Sequence, residues 1–162
     1  MESFTEKIKQ EIDAIREKFP KDKSKSSIIE SLLVIQHDNN GYLTDELMVN
    51  LANYLGVEKI DVYEVATFYT MFNLKPVGRN IISVCTNVSC MLRQSDEILK
   101  HIEKKLKIKV GESTKDNKFY LKDEMECLAA CNGAPMMQVN HINYENLTFK
   151  KIDEIIDGLN ND

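Results

Sequence analysis

A chain of 162 residues that is 43% hydrophobic, 29% charged and 7% aromatic belongs with globular proteins and outside the disordered class. Its net charge of −5 and sequence pI near 5.3 argue against the basic face that nucleic-acid binding requires. No apolar run approaches the ~20 residues of a membrane span, and the acidic start Met1–Lys7 resembles neither a secretory signal nor an Arg-rich transit peptide.

The first helix is predicted over residues 3–19. Ser3 and Glu6 form an S-x-x-E capping box, Phe4, Ile8, Ile12, Ile15 and Phe19 form one apolar stripe, and Pro20 ends it. The polar run Lys21–Lys25 reads as a linker. Ser27 and Glu30 make a second capping box for a helix bearing Ile28, Leu32 and Ile35 and ending near Gly41. Thr44 caps a third, with Asp45 and Glu46 at the positive end of its dipole and Gly56 at its close. A fourth runs from Glu58 into Phe72, with Tyr63, Phe68, Tyr69 and Phe72 read as helix core.

Lys75-Pro76-Val77-Gly78 punctuates the chain, and the pattern then changes. Ile81, Ile82 and Val84 predict a buried strand. An amphipathic helix follows over residues 95–106, then strands near 118–121, 136–139 and 142–144, and a closing helix capped by Thr148. The expectation is an α+β chain. Residues 1–76 form a helical bundle that serves for partner docking, and residues 77–162 form a thioredoxin-like α/β sandwich. Lys104, Lys105, Lys107 and Lys109 read as a solvated helix end and strand edge. His37, His101 and His141 lie away from the cysteines and read as surface or cap residues. No Gly-rich phosphate loop and no nucleophile–base pair stands out.

The four cysteines carry the chemistry. Cys85 and Cys90 form a C-x4-C directly after the first strand, and Cys127 and Cys131 form a C-x3-C before the third. In this topology both loops fall at one end of the sheet. Without an export signal the compartment is reducing, which favours metal or redox chemistry over structural disulfides. Four thiolates suit a 2Fe-2S cluster, two on each iron. Structural zinc, a thiol–disulfide oxidoreductase and unliganded core cysteines remain open on spacing alone. Small polar residues of the first loop, with Asn132 and Gly133 in the second, are expected to turn backbone N–H groups toward the sulfurs.

Further runs carry a resemblance. Tyr54-Leu55-Gly56-Val57, Val62 to Phe72, Lys75 to Arg79, Val84-Cys85-Thr86, Cys90-Met91-Leu92-Arg93, Glu126-Cys127-Leu128, Ala134-Pro135 and Tyr144 to Thr148 resemble the thioredoxin-like 2Fe-2S subunit of NADH:quinone oxidoreductase, respiratory complex I. The match runs over about residues 27 to 159. The resemblance implies one 2Fe-2S cluster on Cys85, Cys90, Cys127 and Cys131, with no catalytic residue in this chain alone. It implies a flavoprotein partner that binds NADH and FMN and passes the cluster one electron, and further peripheral-arm subunits. Similar subunits serve NAD-linked hydrogenases and formate dehydrogenases. A zinc-stapled interaction module and a free-standing ferredoxin are the competing readings. The expected place is the bacterial cytoplasm, peripheral on the inner membrane through the complex, or the mitochondrial matrix side; the Met1 start favours a bacterial or a processed organellar protein. Met71 and Phe72 are the expected docking residues. Ala129 departs from the glycine that many relatives carry, a change that matters only where the backbone needs a positive φ.

Overall fold

The computed structural model describes residues 4–123 and 127–160. The chain divides into two compact units, Met1–Pro76 and Val77–Asp162.

Within the first unit, α1 (Glu6–Arg16) starts at Thr5, whose hydroxyl accepts from the Ile8 N–H at 3.4 Å. The helix therefore begins later than the Ser3 box predicts, and Ser3 itself lies outside the described residues. The expected linker contains a 3-10 turn at Ser24–Ser27, and Lys25 of that turn bonds Asp61 at 2.7 Å. Ser27 is fully buried and donates its hydroxyl to the Ser24 carbonyl at 2.6 Å, so it closes this turn and caps nothing. Next comes α2 (Ile28–Asp38). The cap of α3 (Asp45–Leu55) falls as expected: Thr44 accepts from the Leu47 N–H, and Gly56 closes the helix at φ 67°. Ile12, Leu32, Ile35, Leu51 and Val62 meet in one buried core.

The fourth helix, α4 (Lys59–Phe68), stops four residues short of the predicted Phe72, and Tyr69 is extended. Partners from elsewhere in the unit take over the backbone beyond it. Gln36 donates from its side-chain amide to the Met71 carbonyl at 3.0 Å and accepts from the Asn73 N–H at 2.7 Å. Asn73 donates from its own amide to the Gly41 carbonyl at 2.9 Å. These long-range bonds replace the helical ladder, a competition that local periodicity does not register. They also redistribute the aromatics. Phe72 is buried and Met71 half-buried in the core, whereas Phe68 is 77% exposed and Tyr69 38%. The expected docking pair is thus core material, and two of the four residues read as core lie at the surface.

In the second unit, β1 (Asn80–Val84) lies at the middle of a five-stranded sheet of order β2-β3-β1-β4-β5. Its neighbours are β3 (Phe119–Lys122), parallel, and β4 (Met137–Val139), antiparallel. The two-residue strand β2 (Glu112–Ser113) was not predicted and edges β3; β5 (Ile142–Tyr144) edges β4. Between β4 and β5, Asn140 and His141 both have positive φ, which suits a two-residue hairpin turn. Ile82 and Val84, Phe119 and Leu121, and Met137 and Val139 alternate along their strands and so share one face. Ile98 and Ile102 of α6 (Ser95–Leu106) and Ile152 and Ile156 of α7 (Phe149–Asn160) pack in the same core.

The predicted bounds of α6 match the structure, and Thr148 accepts from the Lys151 N–H at 3.2 Å to start α7. His101 of α6 sits 2.9 Å from Asp153 of α7 and stacks on Phe149, and Lys105 reaches Asp153 and Asp157 at 3.3 and 2.7 Å. Lys105 is therefore a helix–helix clamp and not a freely solvated charge. Gly78 packs so tightly on β3 that a Cβ would come within 2.4 Å of the Phe119 carbonyl group. Among the described residues, no helix is long and apolar enough to cross a membrane.

Candidate cluster-binding site

The antiparallel pairing of Val84 with Met137 brings the end of β1 beside the start of β4. Everything that follows β1 therefore faces everything that precedes β4, and both cysteine pairs occupy those positions. Cys85 leaves the strand directly and its N–H donates to the Met136 carbonyl at 3.2 Å, tying the two loops at their base.

The chain then forms α5 (Val88–Met91), a single turn that sequence periodicity could not reveal at four residues. Asn87 accepts the Val88 N–H at 2.9 Å, so the local clue was an Asn at the head of the turn. This turn carries Cys90 inward, to 1% exposure, beside Cys85 at 2%. Its outer side leaves Val88, Met91 and Leu92 exposed, Leu92 by 76%. Gln94, at φ 66°, then redirects the chain into α6.

The second loop is built differently. Cys127 and Cys131 are both exposed, and their sulfurs lie 3.3 Å apart. Ala129 sits between them at φ 60°, a left-handed conformation that costs an alanine roughly 1 kcal/mol. The departure from glycine thus falls where the backbone does need a positive φ. A 3-10 turn runs through Cys131–Gly133, closed by the Gly133 N–H on the Ala130 carbonyl at 3.0 Å. That bond occupies the N–H expected to face the sulfurs. The Met136 N–H takes the role instead, donating to the Cys90 sulfur.

A strap that sequence patterns did not reveal holds this loop from behind. The Asn146 N–H donates to the Gly133 carbonyl at 2.6 Å and the Leu147 N–H to the Pro135 carbonyl at 2.9 Å. Glu145 lies so close that a Cβ on Gly133 would meet its side chain at 2.0 Å. Only glycine fits there. Arg93, just past the first pair, donates to the Ala134 carbonyl at 3.4 Å and so joins the two loops from the front. Gly133 follows the second cysteine pair and Glu145-Asn146 follows β5, but contact between segments this far apart leaves no periodic trace.

Cys85, Cys90, Ala134 and Met136 form one buried cluster, with Leu128 and Ala130 of the second loop against it. Burial pushes the Cys90 thiol up to about 11, and the neighbouring Cys85 and Cys131 sulfurs add to the rise while the Met136 N–H opposes it. Cys90 of the first loop therefore feels Cys131 of the second, and the two cysteine loops meet at this end of the sheet. Among the described residues, no three His, Cys, Asp or Glu side chains are arranged around a single-ion position. His37 and His141 are exposed and His101 is engaged with Asp153, so the histidines stand apart from this site.

The site is thus a thioredoxin-like sheet whose strand ends bring two cysteine loops together. The chain belongs to the thioredoxin-like [2Fe-2S] ferredoxin family, whose model matches residues 12–160. It is 48% identical over 160 residues to an NADH-quinone oxidoreductase subunit from Rickettsia bellii, covering 99% of this chain and 95% of that protein. It is 42% identical over 158 residues to the mitochondrial NADH dehydrogenase [ubiquinone] flavoprotein 2 of Dictyostelium discoideum, covering 98% of this chain and 64% of that protein. Among solved structures, an NAD+-reducing [NiFe]-hydrogenase in the air-oxidized state shares the fold, with a TM-score of 0.67 and 19% identity. That match covers 80% of this chain but 22% of the hydrogenase chain.

Proposed function

We propose that this chain is the electron-transfer subunit of an NADH:quinone oxidoreductase, holding one 2Fe-2S cluster on Cys85, Cys90, Cys127 and Cys131. The observation that carries the reading is the meeting of both cysteine loops at one sheet end, with the Cys90 thiol in the field of Cys85 and Cys131. The donor set fits the group: four sulfurs, two from each loop, and a backbone N–H already aimed at one of them. When bound, such a cluster accepts and releases one electron at a time.

The chain's own residues supply the surroundings. Cys85 and Cys90 provide a pair shielded from water, with Ala134 and Met136 packed against them. Cys127 and Cys131 provide a pair at the surface, the side from which an electron partner has the shorter approach. Thiolate ligation removes a proton from each cysteine, so loading reverses the neutral state that burial favours at Cys90. The strap through Asn146 and Leu147 and the Arg93 bridge hold the second loop in place before loading, which limits rearrangement there.

The partner is an NADH- and FMN-binding flavoprotein subunit, accompanied by further subunits of the peripheral arm, and the protein sits on the membrane only through that assembly. Exposed Phe68 and Tyr69, in T-shaped contact at 5.1 Å, are better placed for docking than Met71 and Phe72. The identity of 48% across nearly the full length of the rickettsial oxidoreductase subunit favours this host over an NAD-linked hydrogenase or formate dehydrogenase. The test is anaerobic purification with and without the flavoprotein subunit. The expected result is a brown-red protein that gives a 2Fe-2S paramagnetic signal on reduction and co-elutes with that subunit. A colourless, zinc-containing protein that elutes alone would overturn the proposal.

A further inference from the structure

We propose that, while it carries no cluster, the chain closes a reversible disulfide between Cys127 and Cys131, an oxidation that withdraws two of the four proposed ligands. The consequence for loading rests on the ligand assignment above; the bond itself rests on geometry alone.

The two sulfurs are 3.3 Å apart, both residues are exposed, and both are free thiols. A disulfide needs a separation of about 2.05 Å, so roughly 1 Å of side-chain movement completes it. The backbone already makes the turn that this requires. Ala129 at φ 60° and Ala130 at φ −115°, ψ 43° reverse the chain between the cysteines, and the strap at Gly133 and Pro135 holds the far side of the loop. Cys85 and Cys90 do not compete. At 2% and 1% exposure they leave no room for a second sulfur compound to approach in line, which thiol–disulfide exchange demands.

The reaction needs a small-molecule disulfide, RSSR, as oxidant. One exposed thiolate attacks RSSR, forms a protein–S–SR bond and releases one RS⁻. The second attacks the protein sulfur of that bond, forms the Cys127–Cys131 bond and releases the second RS⁻. The protons lost by the two cysteines balance the two RSH formed, and a reducing dithiol reverses the sequence. The disulfide thereby closes the outer half of the site, while bound metal would hold the same two sulfurs and prevent the bond.

The experiment uses the metal-free chain of 162 residues, prepared anaerobically and incubated with oxidised glutathione at neutral pH. Free thiols are alkylated after unfolding and the peptides mapped by mass. Free thiols should fall from four to two, with Cys127 linked to Cys131 and both Cys85 and Cys90 alkylated. The Cys85→Ser/Cys90→Ser variant should form the same link, and Cys127→Ser should instead hold one glutathione on Cys131. Uptake of iron and sulfide, without added thiol, should drop at least tenfold in the oxidised chain and return after dithiol treatment. Four thiols remaining free, or a dominant link through Cys85 or Cys90, would overturn the inference. Equal iron uptake by the two forms would overturn its consequence for loading. A Cys127–Cys131 link in a chain whose reduced form takes up no iron would uphold the disulfide and remove the ligand assignment instead.

Discussion

Cys85 and Cys90 are 2% and 1% exposed and stand on a strand end and a helical turn, whereas Cys127 and Cys131 stand at the surface on a loop with a left-handed alanine. Both pairs serve the same proposed centre, but different forces hold them. The first is part of the hydrophobic interior, so its geometry follows from packing. The second has little packing of its own and is held by backbone hydrogen bonds from Asn146 and Leu147 and by the fit of Gly133 against Glu145. The lesson is that a ligand loop at a protein's edge can be kept in shape by a distant strap instead of by a core. The same division makes the outer pair the one open to solution chemistry.

The largest expected effect separates the pairs directly. Cys85→Ser and Cys127→Ser should each abolish most of the bound iron, since either leaves one iron short of a thiolate. Only Cys85→Ser should also destabilise the metal-free chain, by about 1–3 kcal/mol, because it buries a hydroxyl in an apolar cluster. Iron content and chemical denaturation of both variants check this, and equal stability losses would break the contrast.

Gly133→Ala comes next. The added Cβ meets the Glu145 side chain, and relieving the clash costs about 1–3 kcal/mol or shifts the loop that carries Cys131. The expected readout is faster cluster loss under chelation with the α6–α7 core unaffected, followed by hydrogen exchange. Unchanged chelation kinetics would show that the strap does not hold the outer pair. Ala129→Gly should act in the opposite direction. It removes the left-handed penalty at φ 60° and stabilises by up to about 1 kcal/mol, read as a higher midpoint of unfolding. A lower midpoint would contradict the loop conformation described.

The smallest effect is a control placed away from both loops. His101 and, after it, Lys105 hold the Asp153 carboxyl below the usual carboxylate range. A depressed acid contributes stability that is present above its unfolded value, near 3.9, and that is lost as pH falls through the folded value. Below about pH 4 the wild-type chain should therefore lose stability more steeply than Asp153→Asn, with no change in cluster content at neutral pH. Parallel melting curves across that acid range would remove Asp153 from the account.

Much of this was legible in local sequence. Thr44 and Gly56 bracket α3, and Ser95 to Leu106 carry a helical stripe, because caps and periodicity act over a few residues. The placement of the two cysteine loops at one sheet end followed from strand order, since a chain that pairs β1 antiparallel with β4 brings the end of one beside the start of the other. What local patterns did not register was set by distant contacts. The end of α4 depends on Gln36 and Asn73, and the Cys131 loop depends on Asn146. The turn α5 is too short to repeat, and β2 has only two residues. Ser27 has the composition of a cap, but its burial commits its hydroxyl to the preceding 3-10 turn.

Native mass spectrometry of the anaerobically loaded chain tests the central claim most directly. The account predicts one species heavier by two irons and two sulfides, lighter by two protons once the 2+ charge of the oxidised core is set against the four protons lost from Cys85, Cys90, Cys127 and Cys131, and absent from each single Cys→Ser variant. A mass increase of a single zinc, or an iron–sulfur adduct that survives loss of either pair, would contradict it.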